Sequence, residues 1–430
     1  MPFRWLLPLC LGMVLIRPLQ AQEWTGRILA STDSTSVAGA LVILIDSMGR
    51  EVKRTLSTPT GGFGFTMTGP GRYQVRVLRI GYAGWLSAPT GFGPGERRET
   101  RLLIEDRIIQ LAAIEVTATR SRCGVRPGDS DIIASLLSEA EKALAITEQT
   151  IRQGNLRFRT ETYVSRPTAE GAIGERRTAT SAGQAMWPVA SAPPDSLAKY
   201  GFVHEPRRDP TDLQPETGPI YFGPDARVLF ANWFLDAHCF SVVPADDTVR
   251  NIVVEFTPER RGARRDIRGR LTLDRRSLEL RSLQFWYTGL GRWVTSDSAG
   301  GSMSFRKLTT GAWIIDRWLL RAPIPLVGRR DTMLFGYAES GGQVKEIRDG
   351  RSGQVERISR AVPKLPSPLV PVFNNQIFTL SRSDLCAHHG RCWADLSFFP
   401  SSGSDRQRPR SGRWMTRRSP VPTDFRPAPT

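Results

Sequence analysis

Between residues 23 and 118 the chain is cut into short apolar-rich segments by turn-forming residues, and this punctuation excludes most folds at once. In Tyr73-Gln74-Val75-Arg76-Val77-Leu78-Arg79, apolar and polar residues alternate. That is the period of a strand with one buried face. Ser47-Met48-Gly49, Gly61-Gly62 and Gly69-Pro70-Gly71 separate such segments, with the residue types that tight turns need. The pattern predicts strands at 24–29, 40–46, 51–55, 63–67, 73–79, 99–104 and 108–117. Short strands with regular turns point to a sandwich. Phe63, Phe65 and Tyr73 are its expected inter-sheet core.

The same segment resembles a known family. Val37-Ala38-Gly39-Ala40-Leu41-Val42 is similar to the family's small-residue, Gly-Ala-x-Val entry to its second strand. Gly61-Gly62-Phe63-Gly64-Phe65 resembles its Gly-x-Phe-x-Phe strand. Gly69-Pro70-Gly71-Arg72-Tyr73-Gln74-Val75-Arg76-Val77 resembles its Pro-x-Gly-x-Tyr-x-Val-x-Val strand, followed by Ile80-Gly81-Tyr82. Together these resemble the carboxypeptidase regulatory-like domain, a prealbumin-like sandwich. One turn departs: the usual Thr-Asp-x-x-Gly reads Ser57-Thr58-Pro59-Thr60-Gly61. Ile114-Glu115-Val116-Thr117-Ala118-Thr119 resembles the strand that links this sandwich to the plug of receptors coupled to TonB. The chain has 430 residues, and those after Thr119 show no ladder of ten-residue alternating strands for the receptor barrel.

Beyond the sandwich the period changes. Ile132, Ile133, Leu136, Leu137, Ala140, Leu144 and Ile151 fall at helical spacing, so a helix is expected over about 130–153. Residues 156–165 return to alternation, and 166–220 read as loops with a few short strands. A second helix is expected over about 225–237, then an antiparallel sheet over about 251–321. The expected fold is therefore mainly β: a prealbumin/Ig-like β-sandwich at 23–118, then an α+β domain at 119–400 with a curved antiparallel sheet and a few helices. Residues 401–430 are rich in Arg, Pro and Ser, the composition of a disordered cationic tail.

The N-terminus points to export. Arg4, an apolar run from Trp5 to Ile16 and Leu19-Gln20-Ala21 read as a signal peptide over 1–22. The run is shorter than the about 20 residues a membrane span needs, and no transmembrane helix is expected in the mature chain. Four cysteines then remain, Cys123, Cys239, Cys386 and Cys392, all disulfide candidates in an oxidising compartment. A short loop closed by Cys386 and Cys392 would leave Cys123 and Cys239 to pair, although four cysteines allow three connectivities.

The chemistry in the sequence is sparse. A zinc carboxypeptidase needs a His-x-x-Glu pair and a distant histidine. None of His204, His238, His388 and His389 opens such a pair, so no catalytic, cofactor-binding or metal residues are expected and no cofactor is implied. Cys386-Ala387-His388-His389-Gly390-Arg391-Cys392 is better suited to a disulfide than to zinc. His238-Cys239 reads as a half-cystine beside a histidine. Trp286, Trp293, Trp313 and Trp318 are the candidate ligand-stacking aromatics, and a sheet core would use them equally well. The formal charge of +17 favours anionic partners: envelope components, glycans or an outer-membrane protein, with nucleic acid disfavoured by export. The expected role is a non-catalytic binding or structural component of the bacterial envelope, in the periplasm or at the outer membrane. Alternatives are a carbohydrate-binding protein, a peptidase-associated protein or TonB-linked receptor accessory, and a periplasmic lipid or lipoprotein carrier.

Overall fold

The computed structural model describes residues 21–105, 122–127, 132–172, 174–204, 219–243, 250–259, 265–295, 297–327, 331–350 and 352–358. The signal peptide, the strand expected at 108–117, Cys386, Cys392, His388, His389 and the tail lie outside the described residues.

The first body is a sandwich of strands β1 (Gln22–Ala30), β2 (Leu41–Asp46), β3 (Glu51–Leu56), β4 (Gly62–Met67), β5 (Gly71–Leu78), β6 (Trp85–Leu86), β7 (Thr90–Phe92) and β8 (Arg97–Ile104). One sheet has the order β4-β1-β8 and the other β3-β2-β5-β6, with β7 also on β5. β1 pairs antiparallel with β4 and parallel with β8. Trp24, Ile28, Val42, Leu44, Phe63, Phe65, Val75 and Val77 fill the space between the sheets. Trp24 is fully buried, and its indole N–H donates to Thr100 Oγ1 at 3.0 Å, which satisfies the one polar atom it takes into the core. Phe63 and Phe65 are core residues, as expected. Tyr73 is instead half-buried at the rim, where its hydroxyl donates to the Gly69 carbonyl at 2.9 Å and ties the strand to the turn before it.

The second body begins with β9 (Arg122–Cys123) and helix α1 (Ile132–Gln153). It continues through β10 (Leu156–Ser165), β11 (Arg177–Gln184), α2 (Pro194–Tyr200), β12 (Val203–His204) and β13 (Ile220–Tyr221). Next come α3 (Ala226–Leu229) and α4 (Asn232–Ala237). The remaining strands are β14 (His238–Val243), β15 (Asn251–Pro258), β16 (Asp266–Asp274), β17 (Leu280–Thr288), β18 (Gly300–Lys307), β19 (Trp313–Val327), β20 (Thr332–Asp349) and β21 (Val355–Arg357). From β14 to β20 each strand pairs with its successor, and β10 and β11 extend the sheet beyond β20. The single helix expected over 225–237 is two short ones. Asp225 caps α3, accepting from the Val228 N–H at 3.0 Å, and extended Ala231 interrupts the path before α4. The sheet is also larger than 251–321: it takes in β9, β10, β11, β14 and β20. β9 is held at its far edge by the Cys123–Cys239 disulfide, which spans 116 residues of chain.

Helix α1 lies between the two bodies and is buried on nearly all sides. Its residues share one core with Leu41, Ile43 and Ile45 of the sandwich and with Leu271, Leu283, Met303 and Trp313 of the large sheet. Strand β2 is thus covered on both faces. Glu139 of α1 is wholly buried and pairs with Lys142 at 2.5 Å. The Gly81 N–H donates to Glu139 at 2.6 Å, and Lys142 donates to the Tyr82 carbonyl at 2.7 Å. Burial still holds the Glu139 carboxyl above its usual range, against the opposing pull of Lys142. Further along, Gln149 donates to the Arg54 carbonyl and Gln153 to Thr55 Oγ1. The space between the large sheet and its helices is filled: Leu136, Val228, Phe234, Leu283 and Met303 are all 0% exposed.

Backbone meets backbone where the bodies touch. Gly39 has φ +67°, and a Cβ placed on it would lie 2.1 Å from the Gly311 carbonyl oxygen. Gly81 has φ +79°, and its Cβ would lie 2.9 Å from the Ser277 carbonyl oxygen. Ser277 belongs to the turn after β16, which Asp274 organises by accepting from the Ser277 N–H and hydroxyl and from Arg281. Partial burial raises the Asp274 pKa, but Arg281 and Ser277 outweigh it and hold the value at about 2.

Both features of the junction can be tested by unfolding. Gly81→Ala should lower stability by roughly 2–4 kcal/mol, because left-handed backbone and a carbonyl contact both resist a Cβ; an unchanged urea midpoint would refute the contact. Asp274 has a folded pKa below its ordinary 3.8, so its stabilisation is complete above that value and is lost as pH falls toward about 2. The difference in urea midpoint between wild type and Asp274→Asn should shrink over that window, and a constant difference would count against it.

Candidate functional site

Between the two glycine contacts lies a cleft of about 210 Å³. The sandwich contributes Arg79 and Tyr82 from the loop after β5. The large sheet contributes Arg276, Glu279 and Lys307, and Trp313 and Ile146 line it deeper in. Glycines at Gly39, Gly81 and Gly311 bring the bodies into contact without filling the space beside them. Trp313 is 2% exposed and forms an apolar base.

Charge in the cleft is unbalanced. Glu279 is its one carboxylate, and it is already shared by Lys307 and Arg281, each at 3.4 Å. Arg79 and Arg276 make no salt bridge among the described residues, and Arg79 acts only at longer range on the Asp33 carboxyl, whose pKa is lowered first by its hydrogen bonds to Thr35 and last by Arg79. The Arg79 guanidinium lies 3.9 Å from the centre of the Tyr82 ring, so the ring orients it without neutralising it. Arg276 is exposed at the rim. Two arginines supply planar, multiply donating groups that suit carboxylates and phosphates.

The expected stacking aromatics do not form one platform, and no two of them make ring contact among the described residues. Trp313 is in the core. Trp318 is half-buried, packed between the main core and a smaller cluster with Ile314 and Val344. Trp286 stands on the other face of the sheet from Phe285 and Tyr287. Its ring is covered by Arg268 at 4.9 Å and Arg270 at 5.8 Å. These arginines pair with Asp297 and Glu255, so the surface a sugar ring would use is taken. Trp293 is half-buried beside Gly291.

Cys123 and Cys239 are joined. His238 and Cys239 are consecutive strand residues and point to opposite faces of β14, so they do not form a nucleophile and base. The His238 ring is wholly buried and stacked on Phe234. Its nitrogens lie 2.9 Å from the Phe234 carbonyl and 3.1 Å from the Ile267 carbonyl, with Asp266 at 3.4 Å. This ring is a structural cross-link. Among the described residues, no three His, Cys, Asp or Glu side chains gather as metal ligands, and no helix is long and apolar enough to cross a membrane. Sequence reasoning passed over Arg79, Tyr82, Arg276 and Lys307. Its nearest signal was Ile80-Gly81-Tyr82, read as part of the sandwich alone.

No protein-family profile matches the chain, and no curated protein does. Among solved structures it is similar to a candidate carbohydrate-binding protein from Bacteroides uniformis, at 8% identity, 55% of this chain, 90% of that one and a TM-score of 0.17. It is similar also to a DUF3823 family protein from Bacteroides ovatus, at 7% identity, 56% of this chain, 91% of that one and a TM-score of 0.17. The major pilin subunit of Bacillus cereus is matched at 9% identity, 69% of this chain, 95% of that one and a TM-score of 0.16. Likenesses of this size transfer neither fold nor ligand to this chain.

Proposed function

We propose that this chain is a non-catalytic binding component of the bacterial cell envelope, exported by its N-terminal signal, and that the cleft between its two bodies binds an acidic glycan. The observation that carries this reading is the pair Arg79 and Arg276, which make no salt bridge among the described residues and are set around an apolar base at Trp313. The chain's formal charge of +17 would draw such a ligand in from a distance. The cleft admits a single sugar unit or its acidic substituent, and Tyr82 offers an aromatic edge beside it. The N-terminal sandwich, which resembles the carboxypeptidase regulatory-like domain, supplies one wall and does no chemistry in this reading.

Calorimetric titration with a uronic-acid oligosaccharide and its neutral counterpart tests it. Binding of the acidic glycan should weaken about tenfold on Arg79→Ala or Arg276→Ala, equivalent to about 1.4 kcal/mol. The neutral glycan should bind poorly to all three proteins. Equal affinity of wild type and both variants, or a preference for the neutral glycan, would reject the site.

A further inference from the structure

The two edges of the large sheet are finished differently. At one edge, β9 is two residues long and is locked to β14 by the Cys123–Cys239 disulfide. At the other, β11 runs for eight residues, Arg177–Gln184, and all eight are exposed. Among the described residues it pairs with β10 alone, in unbroken register from Arg157↔Gln184 to Val164↔Arg177. Its outer row of N–H and C=O groups is a template for another strand. Natural edges carry guards against this: lysine, proline, a bulge, an inward charge or a covering element. β11 reads Arg-Thr-Ala-Thr-Ser-Ala-Gly-Gln and has none of these among the described residues.

We infer that β11 is the seat of a symmetric contact between two copies of this chain, made by antiparallel pairing of Arg177–Gln184 with itself. The charge pattern favours an identical strand. A two-fold axis perpendicular to the sheet keeps every side chain on its own face, so opposed residues share parity: with the axis at Ser181, Ser181 faces Ser181, Thr180 faces Ala182, Ala179 faces Gly183 and Thr178 faces Gln184. No like charges are opposed, and opposed like charges are what destabilise a strand pair. The side chains are small on both faces, and a Cβ on Gly183 would meet nothing within 4 Å. An acidic partner strand would find only one cation on this edge, Arg177, whereas the identical strand satisfies every residue. A pairing of this length falls below the roughly 1,200 Å² of a standard interface, so the dimer is a weak one. The two copies also repel, because the chain is strongly cationic, with a formal charge of +17 over the full sequence. Salt screens that repulsion and leaves the backbone hydrogen bonds in place.

Sedimentation of the mature chain over a range of concentrations, in low and high salt, tests the contact. A monomer–dimer equilibrium that shifts toward dimer as salt rises is expected. Ser181→Lys sets two ammonium groups beside the two-fold axis and should leave only monomer, with its thermal unfolding unchanged because the position is exposed on both faces. Copies carrying Thr180→Cys should form a disulfide with copies carrying Ala182→Cys, identified by mass spectrometry of the linked peptides. Monomer under all conditions, a Ser181→Lys protein that dimerises like wild type, or a dimer without the 180–182 link would overturn the inference.

Discussion

The arrangement depends on one helix being buried from both sides. An amphipathic surface helix hides a stripe and leaves the rest wet, but α1 buries Ile133, Ala134, Leu136, Leu137, Ala140, Ala143, Leu144 and Ile146 around most of its circumference. Two β bodies must therefore be present for it to be stable. Its small residues, Ala134, Ala140 and Ala143, let the sheets approach closely. The Glu139–Lys142 pair then completes the fit, because each member also bonds to the backbone of the loop at Gly81 and Tyr82. A buried ion pair is weak evidence of stability by itself, yet breaking one by removing a partner costs about 3–5 kcal/mol. Here the charges meet polar backbone at one place on the sandwich only, so the pair fixes where the sandwich sits as well as whether it stays.

Much of this was legible where one face of an element is buried and the other is wet. Alternation placed β10 at 156–165 and β4 at 62–67 to within a residue, and helical spacing placed α1. The reading was weaker where burial is two-sided. Leu41-Val42-Ile43-Leu44-Ile45 is an unbroken apolar run, and such a run marks a strand covered on both faces. Taken only as a sandwich strand, it hid the contact with α1. The end of the large sheet was missed for a related reason. β20 passes from an exposed tip at Thr332 and Met333 to the interior at Val344 and Ile347, so no single alternation runs its length.

The motif glycines show how a local reading can be incomplete. Gly39 and Gly81 do adopt left-handed backbone, as tight turns require. Turn geometry alone would tolerate an asparagine at some cost. The carbonyls of Gly311 and Ser277 against them would not, and nothing in the sandwich sequence announces partners some 200 residues away. The tryptophans were open to two readings, ligand stacking or sheet core, and Trp313 takes the second while Trp286 lies under guanidinium groups. The cations of the cleft come from scattered positions with no shared pattern.

A cleft on such a seam has properties that a pocket inside either body lacks. Arg79 and Tyr82 belong to the sandwich, Arg276, Glu279 and Lys307 to the large sheet, and Ile146 to the helix between them. Any movement of one body relative to the other changes the distances between these groups. Their geometry is set by α1, so the contacts that stabilise the joint also preorganise the site. Linkage makes the relation reciprocal: whatever binds the assembled seam, and not the separated bodies, stabilises the seam by the same free energy. A weakly buried core at the joint would thus give weak, adaptable binding. The wholly buried Glu139 and Leu144, with the carbonyl-to-glycine contacts on either side, instead argue for a cleft that meets its ligand already formed.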